Sequence, residues 1–143
     1  MNINQYLSIT FTNEDHFIIS TNRYINANYP ELRHLYFHVP NESSTNAITR
    51  IKLFNTGVLA GVPDLCFIFP YLWFMELKMP NGAVSPKQKQ LHELWRNNGI
   101  IVEVCRTAHE VVESLNKHVN IIYNGTEEKR RGKTGGRKKK EGN

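Results

Sequence analysis

The stretch from Gly61 to Gly82, GVPDLCFIFPYLWFMELKMPNG, constrains this chain more than any other. Two apolar, β-rich runs, 65–69 and 72–78, flank Pro70-Tyr71, a pattern that predicts a hairpin. Glu76 and Lys78 close the second run. Alternate residues of a strand share a face, so Phe74, Glu76 and Lys78 point one way and Trp73, Met75 and Leu77 the other. Both faces begin apolar, which predicts a strand covered on both sides. A carboxylate and an ammonium are costly there unless paired or bound. If the hairpin folds about Pro70, facing positions sum to about 140 and Asp64 lies opposite Glu76, with Cβ atoms roughly 5 Å apart.

The remaining elements follow from periodicity and caps. Thr12-Asn-Glu-Asp15 resembles a capping box, and Phe17, Ile18, Thr21, Tyr24 and Ile25 recur at helical spacing, predicting a helix over 13–28 that stops before Pro30. LYFHV (35–39) reads as a short strand. A helix over 44–55 is expected to turn Ala47, Ile48, Ile51 and Phe54 inward, with Gly57 past its end. Ser85-Pro86 offers an N-cap followed by Pro at the first helical position; that helix runs to Asn98, and Gly99 is a natural stop. IIVEVC (100–105) is a strand, and Thr107-Ala-His-Glu110 is a full capping box opening a last helix. The order is α-β-α-β-β-α-β-α, an α/β domain with a mixed sheet. The expected division is a folded domain over 1–124 and a tail over 125–143.

At 143 residues and 40% hydrophobic, the chain suits one domain with one core. Cys66 and Cys105 sit inside apolar runs, as small buried hydrophobes, and no Cys/His spacing suggests zinc. No positive segment leads into an apolar stretch at the N-terminus, and LCFIFPYLWFM is too short to span a bilayer. A reducing, cytoplasmic setting without membrane contact is the expectation. The net charge of +5 resides in residues 127–143, where eight Lys or Arg face three Glu; the body holds ten of each sign and is neutral. This tail, which includes Lys138 and Lys139, is expected to be disordered and able to grip polyanions. Its GKTGG is not a phosphate-binding loop, because Glu127 stands where the first glycine is required.

Two carboxylates as close as Asp64 and Glu76 repel unless a cation lies between them, and all-oxygen ligation suits Mg²⁺ or Mn²⁺ rather than zinc. Phosphodiester hydrolysis is the matching chemistry, with Lys78 on the same face to orient water or neutralise developing charge. Taken alone, E-x-K reads as an ion pair at a strand end; Pro63-Asp64 on the adjacent strand reverses that balance. The N-terminus of the helix after Ser85 offers free N–H groups to a phosphate, with Lys87 and Lys89 nearby. Of the six histidines, none has metal-ligand spacing with a carboxylate. His92, His109 and His118 read as helix surface, and His16 as the one near a proposed ligand.

Pro63-Asp64 followed by Glu76-Leu77-Lys78 resembles the PD-(D/E)XK nuclease signature, whose core order is α-β-β-β-α-β. Gly61-Val-Pro-Asp64, Phe74-Met-Glu-Leu-Lys78, Asn81-Gly82, Ser85-Pro-Lys-Gln88, Gly99 and Val102-x-Val-x-Arg106, with HVPNE at 38–42, are together similar to the VRR-NUC (virus-type replication-repair nuclease) family over roughly 13–115. The resemblance implies a restriction-endonuclease-like fold and a Mg²⁺- or Mn²⁺-dependent endodeoxyribonuclease. It implies Asp64, Glu76 and the Leu77 carbonyl as metal ligands, Lys78 as catalytic, and Gln88 beside the site. It also implies an acidic residue on the first helix, Glu14 or its neighbour Asp15. Arg106 is placed near the site or the substrate backbone, its alternative being a solvated strand-end charge. Standalone members imply branched DNA, such as a Holliday junction or flap, cut by a homodimer in replication or repair. Two readings compete. A non-catalytic nucleic-acid-binding module predicts loss of Asp64, Glu76 or Lys78, and all three are present. A small basic ribosome-associated factor predicts basic residues on the body, and the charge lies in the tail.

Overall fold

Short-range signals set most of the element ends. The computed structural model describes residues 1–40 and 46–120, and the expected boundary near 124 and the tail lie outside them. Helix α1 (Ile3–Leu7) is an addition to the expected order, held by a capping box between Asn2 and Gln5. Helix α2 (Glu14–Asn28) starts one residue later than expected. Asn13, a stronger N-cap than Thr12, accepts from the His16 N–H at 2.8 Å. Phe17, Thr21, Tyr24 and Ile25 face inward as the periodicity predicts, and α2 ends two residues short of Pro30. Tyr6 of α1 stacks on Tyr24 at 4.4 Å and its hydroxyl pairs with the Thr21 Oγ1 at 2.7 Å.

The sheet has the order β1-β2-β3-β4, formed by Tyr36–His38, Leu65–Phe67, Trp73–Leu77 and Ile101–Cys105. The first two pairings are antiparallel and the last is parallel, so the sheet is mixed and flanked by helices, as expected. In the hairpin, Leu65 faces Met75, Cys66 faces Phe74 and Phe67 faces Trp73; each pair sums to 140, the expected register. Helix α4 (Pro86–Asn97) makes the crossover to the parallel strand, capped by Ser85 and stopped at Asn98 before Gly99. Helix α5 (Ala108–Leu115) follows β4 with Thr107 as N-cap. Glu110 closes the expected box one residue early, accepting from the Arg106 N–H rather than that of Thr107.

One face of the sheet carries Leu65, Phe67, Trp73, Met75, Leu77 and Cys105, packed against α1, α2 and α5 as the main core. Phe67 stacks on Trp73 at 4.0 Å, and truncating the fully buried Trp73 would cost about 3–5 kcal/mol. The other face carries Cys66, Phe74 and Val102 beneath Trp95 of α4. Strand β3 is buried at all five positions, as the two apolar faces predict. Both cysteines are buried and free, and no described helix is long and apolar enough to cross a membrane.

Helix α3 (Ala47–Asn55) departs from expectation. It ends at Asn55 as expected, with Gly57 beyond it at φ 85°, but it begins only at Ala47, capped by Asn46, and none of its residues is buried. Ile48 is 80% exposed, Ile51 62% and Phe54 79%. Periodicity reported an apolar stripe correctly; it carried no information on which way the stripe points. The histidines correct a second expectation. His92 and His118 are buried at 2% and 3% exposure rather than on the helix surface.

Candidate active site

The charged residues of the hairpin meet at the end of the sheet where β2 begins and β3 ends. Pro63 is buried and Asp64 follows it directly into β2. The Asp64 carbonyl accepts from the Val39 N–H at 2.8 Å and lies 2.9 Å from the His38 Nδ1. The side chain reaches across to β3, where Oδ2 accepts from the Leu77 N–H at 2.8 Å. One carboxylate oxygen is therefore fixed, and the carboxylate lies near enough to Glu76 to raise its pKa.

Glu76 is 1% exposed. Its Oε1 accepts from the Gln88 Nε2 at 2.8 Å and lies 3.4 Å from the Lys78 Nζ. Its Oε2 is buried without a hydrogen-bond partner. Burial and the nearby Asp64 push its pKa up to about 7 against the pull of Lys78. Asp64 is also raised, by burial first, while the Leu77 N–H, Lys78 and His38 pull it down. Two carboxylates that resist ionisation, one holding an orphaned buried oxygen, form a site short of positive charge.

Lys78 supplies part of that charge. Its ammonium bridges Glu76 and Glu14, 3.5 Å from the Glu14 Oε1, with a side chain only 11% exposed. Glu14, the first residue of α2, is thus the acidic residue that reaches the site, and its neighbour Asp15 is exposed. Gln88 uses both ends of its amide: Oε1 accepts from the Ser85 N–H at 2.9 Å while Nε2 donates to Glu76. The capping box that starts α4 therefore also aims the donor at the carboxylate. Gly61, at φ 85°, lets the GVPD loop lie against the first turn of α4, where a Cβ would stand 3.5 Å from the Gln88 backbone.

The other expected site residues divide. Arg106 lies close by, but its guanidinium donates to the Met79 carbonyl at 3.1 Å and to the Gly82 carbonyl. It ties down the turn after β3 and also lies beside the acidic end. Lys87 is exposed on the first turn of α4. Lys138 and Lys139 lie outside the described residues. Sequence reasoning missed His38 and noted His16 only as the histidine near a proposed ligand; the His16 ring faces Thr12 and Phe11. The signal for His38 was available: it sits where β1 must pair with the start of β2. Buried His92, its pKa lowered by burial, Arg96 and Lys78, stands beside the site on the face of α4 that carries Gln88.

A divalent cation fits this donor set. The buried Glu76 Oε2 lacks a partner, the Asp64 carboxylate lies near enough to raise the Glu76 pKa, and carboxylate oxygens are hard donors suited to Mg²⁺ or Mn²⁺. Among the described residues no three His, Cys, Asp or Glu side chains converge as a ready metal cluster. Glu14 is drawn to Lys78, so two carboxylates and main-chain oxygen would have to carry the ligation.

The family model described as the VRR-NUC domain matches residues 20–109. A solved structure of a "VRR_NUC domain protein" superposes with a TM-score of 0.63 at 20% identity, covering 78% of this chain and 92% of that one. It is a likeness of fold. No curated protein matches the chain.

Proposed function

The chain belongs to the VRR-NUC nuclease family, and we propose that it is a Mg²⁺- or Mn²⁺-dependent endonuclease that hydrolyses DNA phosphodiester bonds. The observation that carries this reading is the orphaned, buried Glu76 Oε2 on a carboxylate close to Asp64, whose other oxygen is held by Gln88 and Lys78. When bound, the cation would polarise a phosphoryl oxygen and lower the pKa of a coordinated water. Asp64, Glu76 and the Leu77 carbonyl would hold it. Leu77 N–H fixes the rotamer of Asp64, and Gln88 fixes that of Glu76. Lys78, shielded from solvent, orients the attacking water and offsets charge developing on the phosphate. The first turn of α4, with Lys87, is placed for an adjacent phosphate.

Branched DNA, a junction or flap met in replication or repair, is the substrate class we favour, with the chain acting in the cytoplasm as a homodimer whose two centres make paired cuts. The test is cleavage of junction, flap, single-stranded and linear DNAs in Mg²⁺, Mn²⁺ or EDTA. Metal-dependent cutting of branched substrates is expected. Binding without cutting in every metal would instead establish a non-catalytic nucleic-acid-binding protein.

A further inference from the structure

We propose that the cavity between α4 and β4, beside the acidic centre, takes one unpaired nucleotide of the bound DNA strand. It holds about 370 Å³, a volume in the range of small-molecule sites. Val104 of β4 and Val84 of the loop after β3 give it apolar walls. Lys89, His92, Glu93 and Arg96 line it from α4, and their spacings of three and four place them on one face of that helix. In the sheet Val104 is the register partner of Glu76, one strand spacing or about 4.8 Å away. His92 follows Gln88, which holds the Glu76 carboxylate, by about one helical turn. A nucleotide next to a phosphate held at Glu76 is therefore within reach of the cavity.

His92 marks what the cavity lacks. Its side chain contributes to the lining and is 2% exposed, yet the Nε2 has no hydrogen-bond partner among the described residues. A buried ring nitrogen left unpaired is costly, and a ligand in the adjoining cavity can supply the partner. Burial, Arg96 and Lys78 all hold His92 toward its neutral form, which suits the uncharged edge of a base better than a phosphate. Glu93 at the exposed rim also disfavours a bare anion. The valines suit the apolar face of a base, and the exposed Lys89 and Arg96 are left for its phosphate. The Arg96 Nε and Nη2 donate to the Val102 carbonyl at 3.2 and 2.7 Å, which fixes the guanidinium with part of its N–H fork unspent. Arg106, bound to the Met79 and Gly82 carbonyls, steadies the loop that carries Val84.

The choice of DNA as ligand rests on the nuclease reading, and its consequence is substrate selection. Drawing a nucleotide from a duplex costs unstacking and unpairing, least where the base is already single-stranded. A cavity filled beside the scissile phosphate therefore favours a cut next to a flap or branch point over one within continuous duplex.

The test uses the full chain and a flap DNA with 2-aminopurine, which fluoresces more strongly outside the base stack, at the nucleotide beside the branch. In EDTA the wild type should raise that fluorescence severalfold. Val104→Phe and Val84→Phe fill the cavity from separate elements and should each remove the rise. Val84 lies in a loop, so its variant keeps the test valid should Val104→Phe disturb the strand. In Mg²⁺ or Mn²⁺ the flap-to-duplex ratio of kcat/KM should fall about tenfold or more in both variants, and likewise for the wild type on a flap abasic at that nucleotide. A rise that survives both fillings, an abasic flap cut as fast as the intact one, or variants that weaken binding to every DNA alike would overturn the proposal. Brightening without cleavage in any metal would sink the nuclease reading and leave the cavity its nucleotide; cleavage without brightening would do the opposite.

Discussion

Glu76 and Glu103 sit on neighbouring parallel strands, on opposite faces of one sheet, and their surroundings drive them in opposite directions. Glu103 packs toward α5 and the π-helical segment Asn116–Asn120 that follows it. His118 meets it at 2.8 Å, Lys117 at 3.5 Å, and the Tyr71 hydroxyl closes on the other nitrogen of His118 at 2.6 Å. Burial raises the Glu103 pKa, but these partners outweigh it and the net shift is downward. Glu76 has one amide, one shared ammonium and a repelling carboxylate, and its pKa rises. The Glu103 cluster is satisfied and binds the C-terminal segment to the hairpin turn. The Glu76 cluster is frustrated, and a fold tolerates such a cluster where a ligand completes it.

The largest contrast should come from removing a carboxylate. Asp64→Ala or Glu76→Ala should lower metal-dependent cleavage by at least about 10³-fold, or about 4 kcal/mol of transition-state stabilisation, while the melting temperature holds or rises. Steady-state cleavage and circular dichroism on the same samples check this, and full activity in either variant would dismiss the mechanism. His118→Ala should do the reverse. It strands the Tyr71 hydroxyl and half of the Glu103 pairing, so it should cost about 2–3 kcal/mol of stability, with kcat nearly unchanged in the surviving folded fraction.

Stability against pH separates the two glutamates further. Glu76 binds its proton more tightly when folded, so in EDTA stability should fall as pH rises from about 4.5 to about 7. Glu103, with its folded pKa depressed, contributes stability above the ordinary carboxylate range that is lost as pH falls below about 4.5. Glu76→Gln should flatten the upper limb by up to about 3 kcal/mol, and Glu103→Gln should flatten the lower one by less, in thermal melts. One limb unchanged in its own variant would show that other groups set it. The smallest effect concerns the tail. Deleting 127–143 should leave the contrast between the glutamates intact while flattening the log–log salt dependence of DNA binding by about one unit per lost phosphate contact; an unchanged slope would make the tail a solubiliser.

The parts legible beforehand are those fixed by neighbours in the chain. A turn of a few residues determined the hairpin register, and with it the meeting of Asp64 and Glu76. Ser85 and Gln88 are three apart, so their box could be read, along with the start of α4. The helix face that carries Phe17 and Tyr24 followed from period alone. Asn2 and Gln5 offered the same kind of signal for α1, which went unread.

Contacts between distant segments decided the remainder. Glu14 rather than Asp15 reaches Lys78 because of the rotation of α2 against β3. His38 flanks Asp64 because β1 pairs with β2 across a connection of more than 20 residues. His92 and His118 are buried because α4 and the C-terminal segment cover opposite faces of β4's side of the sheet. The outward turn of α3 has the same origin. Hydrophobic periodicity defines a stripe relative to the helix axis, and only packing against the other elements defines that axis relative to the core. So the sequence by itself determined which residues hold the charge at the hairpin's end. Tertiary structure decided which of those charges are satisfied, because burial and partner geometry are properties of the assembled sheet.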